Sequence, residues 1–356
     1  MTEAQSRTTT WLVALVVAGL VLYFLRDVLL PFVAGFAVAY ILDPLVNRLT
    51  RLRIGRALAS AIAIVMFGIA ALGLMLMTIP VLRTQISTFV QRLPSYVERV
   101  RSLIEPMVET IRERFGLAEI GDMTKLVSGQ ASEALSWIGG LMLSLVSGGA
   151  AIVNILSLLF ITPLVAYYLL RDWPKITGRI DHWLPKTEAT TMRVQLREID
   201  RTLAGFARGQ ALVCLSLAIF YAVTLTMAGL DFGVLVGLFA GLASFIPFLG
   251  AFGGGLLSIG LALIQFPTWG PVFLIAAIFV AGQILEGYVL TPKLVGDRVG
   301  LHPVWIIFAL MVGGALFGFL GLLLAVPVAA AIGVLVRFAI ERYLASPFYR
   351  GPSEPA

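Results

Sequence analysis

The sequence predicts an all-helical, polytopic membrane protein with about eight hydrophobic helical segments, two of them broken or re-entrant helical hairpins. Of its 356 residues 59% are hydrophobic and only 13% are charged, and the mean hydropathy is +0.95. A soluble domain is about half apolar and a quarter charged, so too few polar side chains are present to cover a water-exposed surface. Long runs without any charge, such as residues 57–82 and 209–230, are long enough to span a bilayer.

The first three spans are predicted at residues 11–25, 31–46 and 57–80. No convincing small-residue cleavage site follows the first run, which indicates a retained span rather than a removed signal peptide. Residues 47–56, between the second and third spans, carry arginines at positions 48, 51, 53 and 56. Basic loops stay in the cytoplasm, so this segment is predicted to be cytoplasmic.

Residues 81–149 change character and form a predicted helical extramembrane insert after the third span. Basic and acidic residues are balanced there, and apolar residues recur at spacings of three and four, which is typical of an amphipathic helix. This stripe packs either on its own domain or on a neighbouring subunit. Its members are Leu93, Val97, Val100, Ile104, Met107 and Ile111.

Three further simple spans are predicted at residues 151–170, 209–228 and 271–290. The charged segment 171–208 separates the first two and is predicted to be cytoplasmic because it is rich in basic residues.

Two longer apolar stretches, residues 232–264 and 303–336, are each interrupted near the middle by helix-disrupting residues. The interruptions lie at residues 246–250 and 317–321, so each arm has about 15–17 residues, or roughly 22–26 Å of helix. The hydrocarbon core is about 30 Å thick, so such arms are either half-helices that meet at mid-membrane or short packed spans. The basic loops place the two hairpins on opposite faces of the membrane, the arrangement of discontinuous elements in secondary transporters.

The residues at these interruptions are the first candidates for a transport site, because broken helices expose backbone groups that a polar solute can bind. Polar side chains at membrane depth are the second set, since they are costly to bury and often functional. Glu286 is either functional or paired with Lys293 near the interface. The candidates are Gln210, Pro247, Gly250, Gln283, Glu286, Gly318 and Gly321.

Glycines repeat at intervals of four and predict close approach of helix backbones, either as static packing or as a surface on which one element slides past another. The helix-packing candidates are Gly233, Gly237, Gly241 and Gly314.

Several chemistries are excluded by what the sequence lacks. It has no P-loop lysine motif, no His-Glu-x-x-His and no Gly-x-Ser-x-Gly. Its single cysteine, Cys214, and its two separated histidines give no metal-ligand spacing. Its arginines are dispersed among apolar spans rather than gathered on one face, which argues against nucleic-acid binding. We therefore expect no catalytic residues, no metal and no cofactor.

The C-terminal half resembles the autoinducer-2 exporter family, also called the PerM-like permeases. The resemblance rests on an ordered series of segments: Arg208-Gly209-Gln210, residues 245–250, residues 286–296, residues 300–303, residues 317–321 and Ala325-Val326-Pro327. It implies a multi-pass permease of the bacterial inner membrane, assembled as a homo-oligomer, with residues 150–342 as the transport core, 171–208 as its cytoplasmic linker and 343–356 as a polar tail.

The resemblance leaves three functions open. The first is a secondary transporter that exports a small polar solute such as autoinducer-2, since some relatives are associated with that export. The second is a sodium/proton-type cation antiporter, in which H⁺ or Na⁺ is the coupling ion and a carboxylate such as Glu286 or Asp231 titrates. The third is a non-transporting membrane scaffold that binds partners through residues 81–149.

Overall fold

The computed structural model describes residues 24–115, 149–296 and 300–350, together with residues 17, 19 and 21. Nearly all of these residues are helical, and none lies in a strand. Most of the predicted first span, residues 11–25, lies outside the described residues.

The described elements follow one another along the chain with short connections. They are α1 (Arg26–Arg51), α2 (Arg56–Phe115), α3 (Gly149–Trp183), α4 (Ala189–Met227), α5 (Gly233–Ala243), α6 (Leu249–Gln265), α7 (Trp269–Ile284), a π-helical segment (Leu285–Val295), α8 (Pro303–Ala345) and the short α9 (Pro347–Arg350).

Five described stretches are long and apolar enough to cross a membrane, and α5 and α6 are shorter apolar helices. The five are Val28–Arg51, Arg56–Arg92, Ala189–Met227, Trp269–Val295 and Pro303–Ala345. The prediction of an all-helical polytopic membrane protein is therefore confirmed.

Several helices run beyond the predicted spans. Helix α1 continues to Arg51, so only residues 52–55 separate it from α2, and α2 continues without a break through residue 80 to Phe115. Residues 171–208 form the end of α3, a turn at residues 184–188 and the start of α4. Arginine, lysine and glutamate are good helix formers, so a helix need not end where its apolar run ends.

The chain divides into two compact units. The first comprises residues up to 68, residues 157–210 and residues from 292 onward. Its core contains small and aliphatic side chains from α1, the start of α2 and α3, including Val46, Ala59, Ala63, Ala166 and Leu170.

The second unit comprises residues 69–156 and 211–291. Here the C-terminal half of α4 packs with α5, α6 and α7 around Leu217, Tyr221 and Ile275, all of which are fully buried. The predicted domain boundaries at residues 80, 149 and 342 stay predictions.

The apolar stripe of the insert can be followed only in part. The backbone is helical to Phe115, but the side chains of the six stripe residues lie outside what the structure describes, as do residues 116–148. What the stripe packs against stays a prediction.

Candidate functional site

The first hairpin consists of α5, a turn at residues 244–248, and α6, and it carries no charged residue from Gly233 to Gln265. The turn follows Ser244, whose hydroxyl donates to the Ala240 carbonyl at 2.9 Å. Phe248 then has a left-handed backbone (φ 70°) and starts α6 without any side-chain cap. The Leu249 amide in the first turn of α6 instead donates to the Ile246 carbonyl at 3.2 Å.

Gly250 lies in tight contact with the end of the first arm of this hairpin. A Cβ at this position would lie 2.2 Å from Ser244 Oγ and 2.5 Å from the Ala240 carbonyl oxygen. Only glycine fits this space, so Gly250 is required for packing whatever else it does. Pro247 lies three residues earlier in the same turn and cannot donate a backbone hydrogen bond.

The second hairpin is α8, whose helical course is interrupted by one residue. Gly318 has φ 58° and ψ −135°, a conformation open to few residues other than glycine. Beyond it the chain folds back, because a Cβ at Gly321 would lie 1.8 Å from the Gly313 carbonyl oxygen. A Cβ at Gly314 would lie 3.1 Å from the Leu322 side chain, so both arms meet across these glycines.

Two of the four arms differ from the predicted 15–17 residues. Helix α5 has 11 residues and α6 has 17. Helix α5 is short because turns at Gly229–Phe232 and Ser244 bound it on both sides. The second arm of α8 continues past its apolar stretch to Ala345 and includes Arg337 and Arg342.

The glycine repeat of α5 faces the backbone of α4. A Cβ at Gly233, Gly237 or Gly241 would lie 2.7, 2.3 or 2.1 Å from a backbone nitrogen of Thr226, Ala222 or Ala218, respectively. Such tight contact at three successive turns fits the static-packing interpretation of the repeat.

A polar group lies where α7 continues into the π-helical segment. The Gln283 side-chain amide donates to Glu286 Oε2 at 3.1 Å, and no described residue forms an ion pair with Glu286 within 4.0 Å, Lys293 included. Tyr221 packs beside them: its ring stacks on Phe279 at 4.6 Å, and its buried hydroxyl lacks a hydrogen-bond partner among the described residues.

The π-helical segment coincides with the predicted motif at residues 286–296. π-Helical turns are rare and occur frequently at functional sites. A Cβ at Gly209 would lie 2.4 Å from the Leu294 carbonyl oxygen. The structure therefore brings two of the motif segments, Arg208-Gly209-Gln210 and residues 286–296, into backbone contact.

Outside the predicted spans, the extension of α2 is bonded to the base of the first hairpin. Asp231 accepts hydrogen bonds from Arg92 and, at 3.0 Å, from the Tyr96 hydroxyl. Burial, followed by the hydrogen bond to Asp231, raises the pKa of the Tyr96 phenol. The Phe232 ring packs edge-on against Tyr96 and Phe89.

Gln265 and Arg99 complete this set of contacts, which we call the base latch (Arg92, Tyr96, Arg99, Asp231 and Gln265). Gln265 Oε1 accepts from the Asp231 amide at 2.7 Å, and its Nε2 donates to the Gly229 carbonyl at 2.8 Å. Arg99 Nη1 donates to the Ile264 and Gln265 carbonyls at 2.8 and 3.0 Å. The latch thus ties both ends of the first hairpin to α2.

Sequence reasoning found some members of these groups and missed others. Two predicted pairs, Gln283 with Glu286 and Pro247 with Gly250, lie close together simply because each pair is only three residues apart in the sequence. Asp231 was predicted only as a carboxylate that titrates, and its contacts in the base latch were missed, as was Tyr221. Tyr221 could have been found from the sequence, because it is a polar side chain within an apolar span. Nothing in the sequence around Asp231 indicates that it pairs with Arg92.

Comparison with known proteins identifies the family. A family model described as the AI-2E family transporter matches residues 12–341. The chain belongs to the AI-2E transporter family. Among its relatives, sll0060 of Synechocystis, named for a transport role, is 30% identical over 315 residues, 85% of this chain and 84% of that protein. PerM of Escherichia coli K12, which carries the name of a permease, is 24% identical over 91% of both chains.

A third relative is named for autoinducer-2 transport. The AI-2 transport protein TqsA of Escherichia coli K12 is 23% identical over 322 residues, 90% of this chain and 87% of that protein. The resemblance drawn from the motifs is thereby confirmed, and the chain is a membrane protein of a transporter family.

Proposed function

We propose that this protein is a secondary transporter that moves a small polar solute across the bacterial inner membrane. The observation that carries the proposal is the interruption of two hairpins inside stretches without charge. Phe248 and Gly318 both leave the helical conformation there. Backbone donors and acceptors freed at such breaks can bind a polar group without a charged side chain.

The composition of the hairpins favours an uncharged solute. Residues 233–265 and 303–336 contain no aspartate, glutamate, lysine or arginine, so no charged side chain in either stretch could pair with an ion. The name of the relative TqsA makes autoinducer-2 the first solute to test.

Solute flux into proteoliposomes tests the proposal. The purified chain should give saturable uptake of at least one member of a panel of small polar solutes that includes autoinducer-2. Gly318→Ala should lower that flux by roughly tenfold, which corresponds to about 1.4 kcal/mol of backbone strain at a conformation that alanine resists. Nothing lies within 4 Å of a Cβ at Gly318, so the variant should insert and assemble normally.

The matched control is Gly260→Ala. A Cβ there also has nothing within 4 Å, but the backbone is helical, so flux should stay at the wild-type rate. Normal flux in a correctly assembled Gly318→Ala variant would remove this break from the mechanism.

Cation/proton antiport is the second candidate, and the pair Gln283–Glu286 favours it. A carboxylate at this depth that lacks an ion pair with a described residue is a candidate for titration by a coupling ion. An imposed sodium or proton gradient across the same vesicles separates the two functions, because only an antiporter converts it into counter-flow of the other cation.

A further inference from the structure

A groove in the first unit follows α3 alongside α1. It is a cleft of about 590 Å³. Its apolar half is lined by Phe32 and Phe36 of α1 and by Leu164 and Tyr168 of α3, and each of these side chains is more than 40% exposed. An apolar surface of this kind on a membrane protein is suited to hydrocarbon.

Close contact between α1 and α3 forms the floor of this groove. A Cβ at Gly35 would lie 2.7 Å from the Val165 side chain, and the Thr162 hydroxyl donates to the Pro31 carbonyl at 3.3 Å. Because the backbones approach so closely, the larger side chains on either side form raised walls. The groove therefore follows from packing along the helices and needs no mobile loop.

The other half of the groove is polar and carries a surplus of positive charge. Asp172 accepts from Arg171 at 2.6 Å and from Lys175 at 3.1 Å. The hydrogen bonds from Arg171 and Lys175 lower the pKa of the Asp172 carboxyl to about 2, so it stays ionised. Arg179 lies one turn beyond Lys175 on the same face and has no ion pair within 4.0 Å among the described residues. The groove is thus lined by two cations, Lys175 and Arg179, and one anion, Asp172.

The groove matches a phospholipid in its length and in the order of its apolar and charged parts. From Leu164 to Arg179 it follows about 22 Å of helix, comparable with one leaflet of a bilayer. The apolar run of α3 ends at Leu170, where the charged residues begin. Basic pockets beside transmembrane helices at this level suit the head groups of anionic lipids.

We propose that this groove binds an anionic glycerophospholipid, with its acyl chains against Phe32, Phe36 and Leu164 and its phosphate at Lys175 and Arg179. A net-negative head group is favoured over a zwitterionic one because the cations outnumber the carboxylate. The site does not depend on which solute the protein carries.

Native mass spectrometry of the full-length chain, released from detergent, tests the proposal. Dioleoyl-phosphatidylglycerol should bind with at least about fivefold higher apparent affinity than dioleoyl-phosphatidylethanolamine, which has the same acyl chains. The double variant Lys175→Gln/Arg179→Gln should lower the affinity for phosphatidylglycerol by roughly tenfold, since each cation near the membrane surface contributes to anion binding. Asp172 keeps its bond to Arg171 in this variant.

The matched control is Lys186→Gln/Arg197→Gln, which removes two exposed positive charges outside the groove and should leave lipid binding unchanged. Equal affinity for the two lipids, or wild-type affinity in the groove variant, would overturn the proposal. A second groove variant, Leu164→Trp, fills the apolar half and should also reduce binding. If it instead changes only the oligomer mass, a neighbouring subunit covers the groove and the lipid proposal is wrong.

Discussion

The two hairpins of this transporter contain the same three residues at their breaks but turn the chain differently. Phe248-Leu249-Gly250 lies in the first and Phe319-Leu320-Gly321 in the second. In the first the left-handed residue is the phenylalanine, and in the second it is Gly318, just before the phenylalanine. A shared tripeptide therefore does not specify a shared turn.

The two turns differ in the residue that adopts a positive φ and in the space around it. Around the first, Gly250 is in tight contact with Ser244 and Ala240, and a Cβ at Gly254 would lie 2.4 Å from the Ala240 side chain. The second has an equally tight contact, because a Cβ at Gly321 would lie 1.8 Å from the Gly313 carbonyl oxygen, but nothing lies within 4 Å of a Cβ at Gly318 itself. The left-handed backbone of Phe248 costs a non-glycine residue about 1–2 kcal/mol, whereas Gly318 adopts a positive φ without that cost.

The first hairpin is also fixed at its open end by the base latch. The first hairpin is therefore held both between its arms and at its open end, whereas in the second the arms are in tight contact and only Gly318 has open space around it. The proposed solute flux depends on both breaks, but for different reasons.

The largest expected effect comes from disturbing the first hairpin at the interface of α5 with α4. In Gly241→Ala the new Cβ would lie 2.1 and 2.2 Å from the backbone of Ala218. A main-chain contact this short cannot be relieved by a rotamer change. We therefore expect the free energy of unfolding to fall by about 3 kcal/mol or more. This loss of stability can be measured as a lower midpoint of thermal unfolding in detergent and as a smaller monodisperse fraction on size-exclusion chromatography.

Gly260→Ala is again the control, because its Cβ meets nothing within 4 Å. If both alanine variants unfold at the same temperature, α5 and α4 do not pack as tightly as described and the first hairpin is not held by that contact.

A smaller effect is expected from opening the base latch at Gln265. Gln265→Ala removes the acceptor for the Asp231 amide and the donor to the Gly229 carbonyl. Two hydrogen bonds of ordinary strength contribute about 1–3 kcal/mol together. Limited proteolysis of the α2 extension should accelerate in parallel with the drop in unfolding temperature.

The exposed Gln91, on α2 itself, provides the comparison for that variant. Gln91→Ala should leave both the rate of proteolysis and the unfolding temperature near the wild-type values. Faster cleavage without any change in unfolding temperature would show that the latch holds α2 but does not support the hairpin.

The sequence was sufficient to predict the fold class and the positions of both breaks, because these depend on local features. Charge-free runs mark the membrane segments, and Pro247, Gly250, Gly318 and Gly321 mark the interruptions. Residues 246–250 overlap the observed turn at 244–248 and include Phe248, and residues 317–321 include Gly318. The transport role of these residues stays a prediction.

Other features depend on contacts between distant residues or on backbone detail, and the sequence did not reveal them. Arg92 and Asp231 are 139 residues apart in the chain, and nothing local couples them. The π-helical course of Leu285–Val295 differs from an α-helix by one hydrogen-bond register, which hydropathy does not report. Helix ends were misplaced at residues 47–56 and 171–208 because charge marks the membrane boundary but does not stop a helix.

The smallest expected effect is a pH dependence confined to the base latch. Tyr96 donates to Asp231 at 3.0 Å, and burial together with this bond raises the pKa of its phenol above the ordinary value. The neutral phenol is therefore favoured in the folded protein. Its contribution to stability is complete below the unfolded pKa of about 10 and is lost as the pH rises from there through the folded pKa.

Tyr96→Phe should unfold at a lower temperature than wild type near pH 8, because the bond to Asp231 is missing, and the gap should narrow above about pH 10. Paired melting curves between pH 8 and about 11 measure that narrowing. Tyr349→Phe, at an exposed site outside the latch, should show no comparable change. A gap for Tyr96→Phe that stays constant across this range would mean that the phenol is not held neutral by burial and Asp231. The base latch would then consist only of the bonds made by Arg92, Arg99 and Gln265. The first hairpin would be held in place chiefly by the glycine contacts with α4.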